Sequence, residues 1–157
     1  MKLTTKGRYA VAAMTDLAAH SRGGSGDDPI ALSDIAVRQG ISLSYLEQLF
    51  SKLRRSGLVA SARGASGGYR LAHGPAETRI ADIVAAVDEQ IRTTACKPGS
   101  AVGCTGTSAR CLTHDLWDEL SRQIEIFLNA VTLEDILEKR IAGMAAVNAP
   151  PRMEAVE

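Results

Sequence analysis

Three cysteines and a histidine crowd into 19 residues of this chain: Cys96, Cys104, Cys111 and His114, spaced Cys-x7-Cys-x6-Cys-x2-His. Thiolates and an imidazole are soft or borderline donors, the set that zinc and iron–sulphur clusters prefer. The stretch between the cysteines is rich in glycine and serine, so the chain can bend until the sulphurs converge. Cys111 and His114 are three residues apart and share one face of a helix's first turn. Structural zinc sites usually contain closely spaced cysteine pairs, which are missing here, while iron–sulphur clusters tolerate long glycine-containing loops. Spacing leaves both open. Any one of these residues alone would read as an inert buried thiol or an ordinary imidazole; their collection in a non-periodic segment argues for ligands. Three cysteines cannot close a disulfide framework, and the reducing cytoplasm expected for this protein disfavours one. The thiols have no acid–base partner other than His114, so no catalytic set is apparent and an enzyme is not expected. His20 and His73 lie far off in the sequence and read as structural.

The elements that must carry this segment follow from composition and periodicity. A chain of 157 residues fits one compact domain with appendages, and with only six aromatic side chains its core must be built from Ala, Leu, Ile and Val. The expected fold is mainly α with a small β-hairpin. No apolar run approaches the roughly 20 residues of a membrane span and the N-terminal MKLTTKGRYAV lacks a signal-peptide pattern, so a cytoplasmic protein without a membrane partner is expected. The net charge is zero but unevenly spread: eleven Lys or Arg against six Asp or Glu up to Arg79, a net of +5, and seven against twelve beyond it, a net of −5. A basic half can meet phosphates while an acidic half does something else.

Residues 1–79 read as a winged helix-turn-helix DNA-binding domain. Tyr9, Ala10, Ala13, Met14 and Leu17 recur at helical spacing over Thr5 to His20, and SRGGSGDDP follows as a surface loop. Ser33 precedes a short helix that ends near Gly40. SLSYLEQLFSKLRRSG, capped by Ser42 or Ser44, forms a second helix that buries Leu46, Leu49, Phe50 and Leu53 and stops at Gly57. Two short strands around the glycine cluster of residues 64–68 then make a hairpin, the wing. Amphipathic helices usually serve only a core, but here the order of the parts points to DNA. Ser44, Tyr45, Glu47, Gln48 and Ser51 lie on the second helix, where Gln can pair with adenine and Glu can accept from cytosine. Lys52, Arg54 and Arg55 near the helix end and Arg63 on the hairpin can bracket a phosphate backbone, and Arg63 can enter a minor groove. The glycines of RGASGGY lack the strand-to-helix setting of a nucleotide-binding loop.

Residues 80–140 should hold a short helix over residues 80–91, the cysteine segment, and a long helix. Leu112, Leu116, Leu120, Ile124, Phe127, Leu128 and Val131 form an apolar stripe too long to leave in water. Leu112, Leu116, Leu120, Ile124 and Phe127 are the expected dimer contacts, packing on the same stripe of a second copy about a two-fold axis that a pseudo-palindromic operator in double-stranded DNA would mirror. Packing on its own domain is the competing use of the stripe. Trp117 lies beside it. Thr132 should cap a last turn-forming segment, Leu133 to Arg140, and residues 141–157 should be a disordered tail.

Several motifs, MKLTTKGRYAV, ISLSYLEQLFSKLR with GLV after it, the RGxxGGYRL wing, AVDE, and CLTHDLWDEL followed by FLNAVTLEDIL, resemble the IscR family of iron–sulphur-responsive regulators over roughly residues 1 to 140. The resemblance implies a homodimeric transcription regulator with a 2Fe-2S cluster on Cys96, Cys104, Cys111 and His114, received from the iron–sulphur assembly machinery. It also implies that the cluster-bound form represses the assembly genes while the cluster-free form still binds other operators. A zinc-binding or thiol-based redox regulator on the same DNA-binding fold is the alternative. The chain departs from the family in its longer ligand spacing, and in Ala65-Ser66 where the family wing usually carries Pro-Gly.

Overall fold

The computed structural model describes residues 5–21, 28–64, 67–88 and 112–141. Helix α1 (Thr5–Ser21) is the central element, because its small side chains let neighbours approach on several sides. It packs on α2 (Leu32–Gln39), α3 (Leu43–Arg55), α4 (Ile80–Ala86), α6 (Leu133–Leu137) and strand β2 (Gly68–Leu71). Ala10, Ala13, Met14, Leu17 and Ala18 of α1 are fully buried, while Tyr9 sits at the rim of the predicted stripe, 38% exposed.

Gly40, at φ +63°, ends α2 in the left-handed conformation that glycine adopts without strain, and the chain turns through Ile41 into α3. Helix α3 is strongly two-faced: Leu46, Leu49, Phe50 and Leu53 are buried, as the periodicity predicts. Gly57, at φ +74°, reverses the chain into β1 (Val59–Ala62), which pairs antiparallel with β2 from Val59–Leu71 to Ala62–Gly68. Ile30 adds a single antiparallel bridge on the outer edge of β2, exchanging two backbone hydrogen bonds of 2.8 Å with Tyr69. The molecule is therefore mainly helical with a small antiparallel hairpin, a winged helix-turn-helix.

Two boundaries differ from the sequence expectation. Helix α2 begins at Leu32, with Ala31 as its cap, so Ser33 already lies inside its first turn. Helix α4 ends at Ala86, not near residue 91, because Asp88 takes a left-handed φ of +56°, which breaks the hydrogen-bond ladder although apolar spacing continues past it. Helix α5 (His114–Ala130) touches α4, and its far end is fastened by backbone bonds. Ile80 N donates to Val131 O at 3.0 Å and Leu133 N to Thr78 O at 3.0 Å. Thr132 caps α6 through a reciprocal box, Asp135 N donating to Thr132 Oγ1 at 3.2 Å and Thr132 N to Asp135 Oδ2 at 3.0 Å. One apolar core runs through all of this, joining α1, α2 and α3 to Ile80, Ile83, Val84, Val87, Val131 and Leu133. The tail expected over residues 141–157 lies, beyond Ile141, outside the described residues.

Candidate nucleic-acid interface and metal-ligand segment

Burying one side of α3 necessarily presents the other. Ser44, Glu47 and Gln48 are exposed on the N-terminal half of this helix, one turn past the Gly40 bend, as a groove-entering helix requires. Tyr45 behaves differently from the other expected contacts. Its ring is half-buried against the core and meets Tyr9 edge-on, with centroids 6.0 Å apart and planes at 82°, so its main contact is with α1. Ser51, also half-buried, accepts from Arg55: the guanidinium Nε lies 3.3 Å from Ser51 O and Nη2 lies 3.4 Å from Ser51 Oγ.

The basic residues cluster at the end of α3, where cations also suit the negative pole of the helix. Arg54 and Arg55 are exposed. Lys52 is engaged: its Nζ donates to Asp88 Oδ2 at 2.5 Å, across from the end of α4. The Asp88 hydrogen bond raises the Lys52 pKa above its ordinary value, and the bond from Lys52 lowers that of Asp88. Arg63 is exposed at the wing, beside Gly64 at φ +117°. The wing is tied to α3 through its interior, because Phe50 meets Tyr69 of β2 edge-on with ring centroids 5.0 Å apart. Helix α3 and the hairpin are thus held as one piece.

Three features were absent from the sequence reading. Asp16, 6% exposed on α1, receives Arg38 Nε at 3.1 Å on each carboxylate oxygen, Arg38 Nη2 at 2.6 Å and Gln39 Nε2 at 2.7 Å. Burial pushes its pKa up, but the bonds from Arg38 and Gln39 and the charges of Arg38 and His20 outweigh that and hold it below the ordinary value. The available signal was a carboxylate set among the inward Ala13, Met14 and Leu17. Gly68 is the second: a Cβ there would lie 2.3 Å from Ile30 O. Asp88, the partner of Lys52, is the third.

In the ligand segment, His114 is the first residue of α5 and half-buried. Cys96, Cys104 and Cys111 lie outside the described residues. Among the described residues no helix is long and apolar enough to cross a membrane. Helix α5 has no buried residue. Leu120, Ile124 and Leu128 are partly covered, whereas Leu112, Leu116, Trp117, Ile126 and Phe127 are exposed, Leu116 at 61% and Phe127 at 37%. The stripe therefore splits. Val131 and Leu128 join the chain's own core, while Leu116 is left largely, and Phe127 partly, in water.

The chain closely resembles known transcription regulators. The HTH-type transcriptional regulator IscR of Vibrio atlanticus is 53% identical over 138 residues, 88% of this chain and 76% of the relative. IscR of Yersinia pseudotuberculosis is 51% identical over 140 residues, 89% of this chain and 81% of the relative. Among solved structures, IscR of T. potens aligns with a TM-score of 0.69 at 36% identity, covering 96% of this chain and 94% of that one. CymR, the global cysteine regulator of B. subtilis, aligns with a TM-score of 0.71 at 32% identity, covering 88% and 98%. Residues 3–139 match the Rrf2 family, described as an iron-dependent transcriptional regulator. A match running from α1 through α6, added to the winged-helix geometry, places this chain in the Rrf2 family of transcription regulators, which are DNA-binding proteins and not enzymes.

Proposed function

We propose that this protein is a homodimeric regulator that reads a pseudo-palindromic operator and represses iron–sulphur assembly genes when it carries a 2Fe-2S cluster. The observation that carries the DNA half is the exposed Ser44, Glu47 and Gln48 face on a helix whose opposite side is locked into the core, with Lys52, Arg54, Arg55 and Arg63 flanking it. Flanking cations position the helix through phosphates, and the uncharged and acidic side chains between them read base edges. Residues 1–79 supply this function; residues 80–140 supply the ligands and the dimer face.

The donor set fits the cluster. Three thiolates and one imidazole are suitable ligands for a low-charge iron–sulphur group, and His114 opens α5 only three positions beyond Cys111. Cys96, Cys104, Cys111 and His114 would hold it, and the assembly machinery would deliver it. When bound, the group supplies a redox- and supply-sensitive link between the cysteine segment and α5. The dimer is supported by the exposed Leu112, Leu116 and Phe127, with Leu120 and Ile124 half-buried on the same helix. An apolar edge of this kind on a 17-residue helix needs a cover, and a second copy provides the same edge in return. A cytoplasmic location follows from a function exercised on DNA.

Oxygen-free purification, with visible absorption and iron and sulphide analysis, tests the reading. A coloured protein that loses its colour on Cys104→Ala supports it. A colourless preparation containing zinc or no metal would overturn the cluster assignment in favour of zinc or thiol chemistry.

A further inference from the structure

Asp88 is paired directly with one cation, Lys52, and lies within the field of two more. Lys52 Nζ is 2.5 Å from its Oδ2, and the charges of Lys6, on the first turn of α1, and of Arg55 also act on it. Its backbone is held in a left-handed turn, φ +56°, and its N–H donates to Ala85 O at 3.0 Å, so the end of α4 delivers the carboxylate toward α3. The Asp88 side chain is 74% exposed and that of Lys52 31%, so the carboxylate faces water while the lysine stem is largely covered. An exposed ion pair is weakly held, screened by salt, and open to exchange.

We infer that Asp88 is an internal stand-in for a DNA phosphate: in the free protein it occupies the ammonium of Lys52, and a backbone phosphate of bound duplex displaces it. The inference rests on the reading of α3 as the DNA-contacting helix. A phosphate oxygen brings the same charge as the carboxylate and a similar acceptor geometry, so the exchange keeps Lys52 paired. Its consequence is a handicap on binding of any sequence, since each association must first release Asp88. Base contacts from the polar face of α3 are unaffected by that exchange. The carboxylate therefore lowers non-specific affinity more than it lowers discrimination, a useful property for a protein that must ignore most of a genome.

Fluorescence anisotropy of the full-length protein on a labelled mixed-sequence duplex of about 30 base pairs, roughly three helical turns, over a series of KCl concentrations tests this. Asn keeps the size of Asp and tolerates left-handed backbone, so Asp88→Asn is the first variant. Asp88→Gly, equally at home at positive φ, repeats the removal should Asn misfold, with circular dichroism reporting the fold. Removal of the carboxylate should tighten binding about threefold or more at low salt and steepen the dependence on salt, by up to about 0.9 in logarithmic slope for one phosphate contact regained. In a Lys52→Gln background the gain should fall to less than half. A loss of affinity on Asp88→Asn would overturn the proposal, showing that Asp88 instead holds Lys52 in its binding position. An equal gain with and without Lys52 would also overturn it, as a general effect of charge. Failure of the unaltered protein to bind duplex DNA at any salt concentration would remove the DNA reading itself; normal binding with an inert Asp88 would remove only this inference.

Discussion

Arg38 of α2 grips Asp16 of α1 with two nitrogens, Nε 3.1 Å from both carboxylate oxygens and Nη2 2.6 Å from one of them, while the Asp16 side chain keeps only 3% of its surface in water. The contact joins the first helix of the domain to the first helix of the helix-turn-helix. It therefore sets the base on which α3 is mounted.

The folded-state pKa of Asp16 lies below its ordinary 3.8, so its contribution to stability is present above that value and is lost as the pH falls through the lowered one. Asp16→Ala should cost about 2 kcal/mol at neutral pH, the range for hydrogen bonds to a charged group, with Arg38 partly in water and so partly screened. The difference from the unaltered protein should shrink as the pH falls below the ordinary carboxylate value of 3.8. Urea unfolding at a series of pH values measures it; a gap that stays constant into acid would show that the charge of Asp16 is not what stabilises.

At Gly68 the obstacle is space and not backbone conformation. An added Cβ would sit 2.3 Å from Ile30 O and 2.5 Å from Ile30 C, inside the rung that joins the wing to the start of α2. Gly68→Ala should destabilise by about 2–3 kcal/mol and weaken DNA binding by displacing the wing. Gly64→Ala meets open space and suffers only from its φ of +117°, so its cost should be nearer 1 kcal/mol. Thermal melting of the two variants side by side decides the matter, and equal midpoints would contradict it.

The bare edge of α5 makes a prediction about assembly. Leu116→Asp combined with Phe127→Asp places charge on side chains 61% and 37% exposed in the single chain, so folding should survive. Sedimentation velocity should then find a monomer, and the dimer proposed above for the unaltered protein. A monomeric unaltered protein at micromolar concentration would refute the two-fold arrangement.

Glu47 lies on the exposed face of α3, the helix proposed above to enter the DNA groove. If it accepts from a cytosine amino group, Glu47→Ala should relax sequence preference at one operator position by about 1–3 kcal/mol in discrimination while phosphate-driven affinity is kept. Selection from a randomised duplex library reads this directly. An unaltered preference profile would assign Glu47 to solvent.

What was legible in the chain is what depends on neighbours in sequence. The three- and four-residue spacing of Leu46, Leu49, Phe50 and Leu53 predicts the buried face of α3, Gly40 and Gly57 mark its surrounding turns, and Thr132 caps α6. The end of α4 was misplaced because hydrophobic spacing does not register a single backbone reversal at Asp88. The pairs Asp16–Arg38, Ile30–Tyr69 and Lys52–Asp88 were illegible for a different reason: each joins residues more than 20 positions apart, and local spacing, even where it marks Asp16 as inward, does not name the partner. Of the candidate ligands, His114 is located at the head of α5, and the three cysteines fall outside the described residues.

The main-chain bonds from Ile80 to Val131 and from Leu133 to Thr78 form a seam between the two halves of the chain, and Val131 and Leu133 are both buried in the shared interior. Because those links are peptide groups, exchanging side chains does not undo them. The winged-helix part therefore cannot be severed at Arg79 and grafted elsewhere without an open wound where Ile80, Ile83, Val131 and Leu133 belong. A pull or twist along α5 reaches that part through this stitched joint, as torque through a welded axle, and not through a pliable tether.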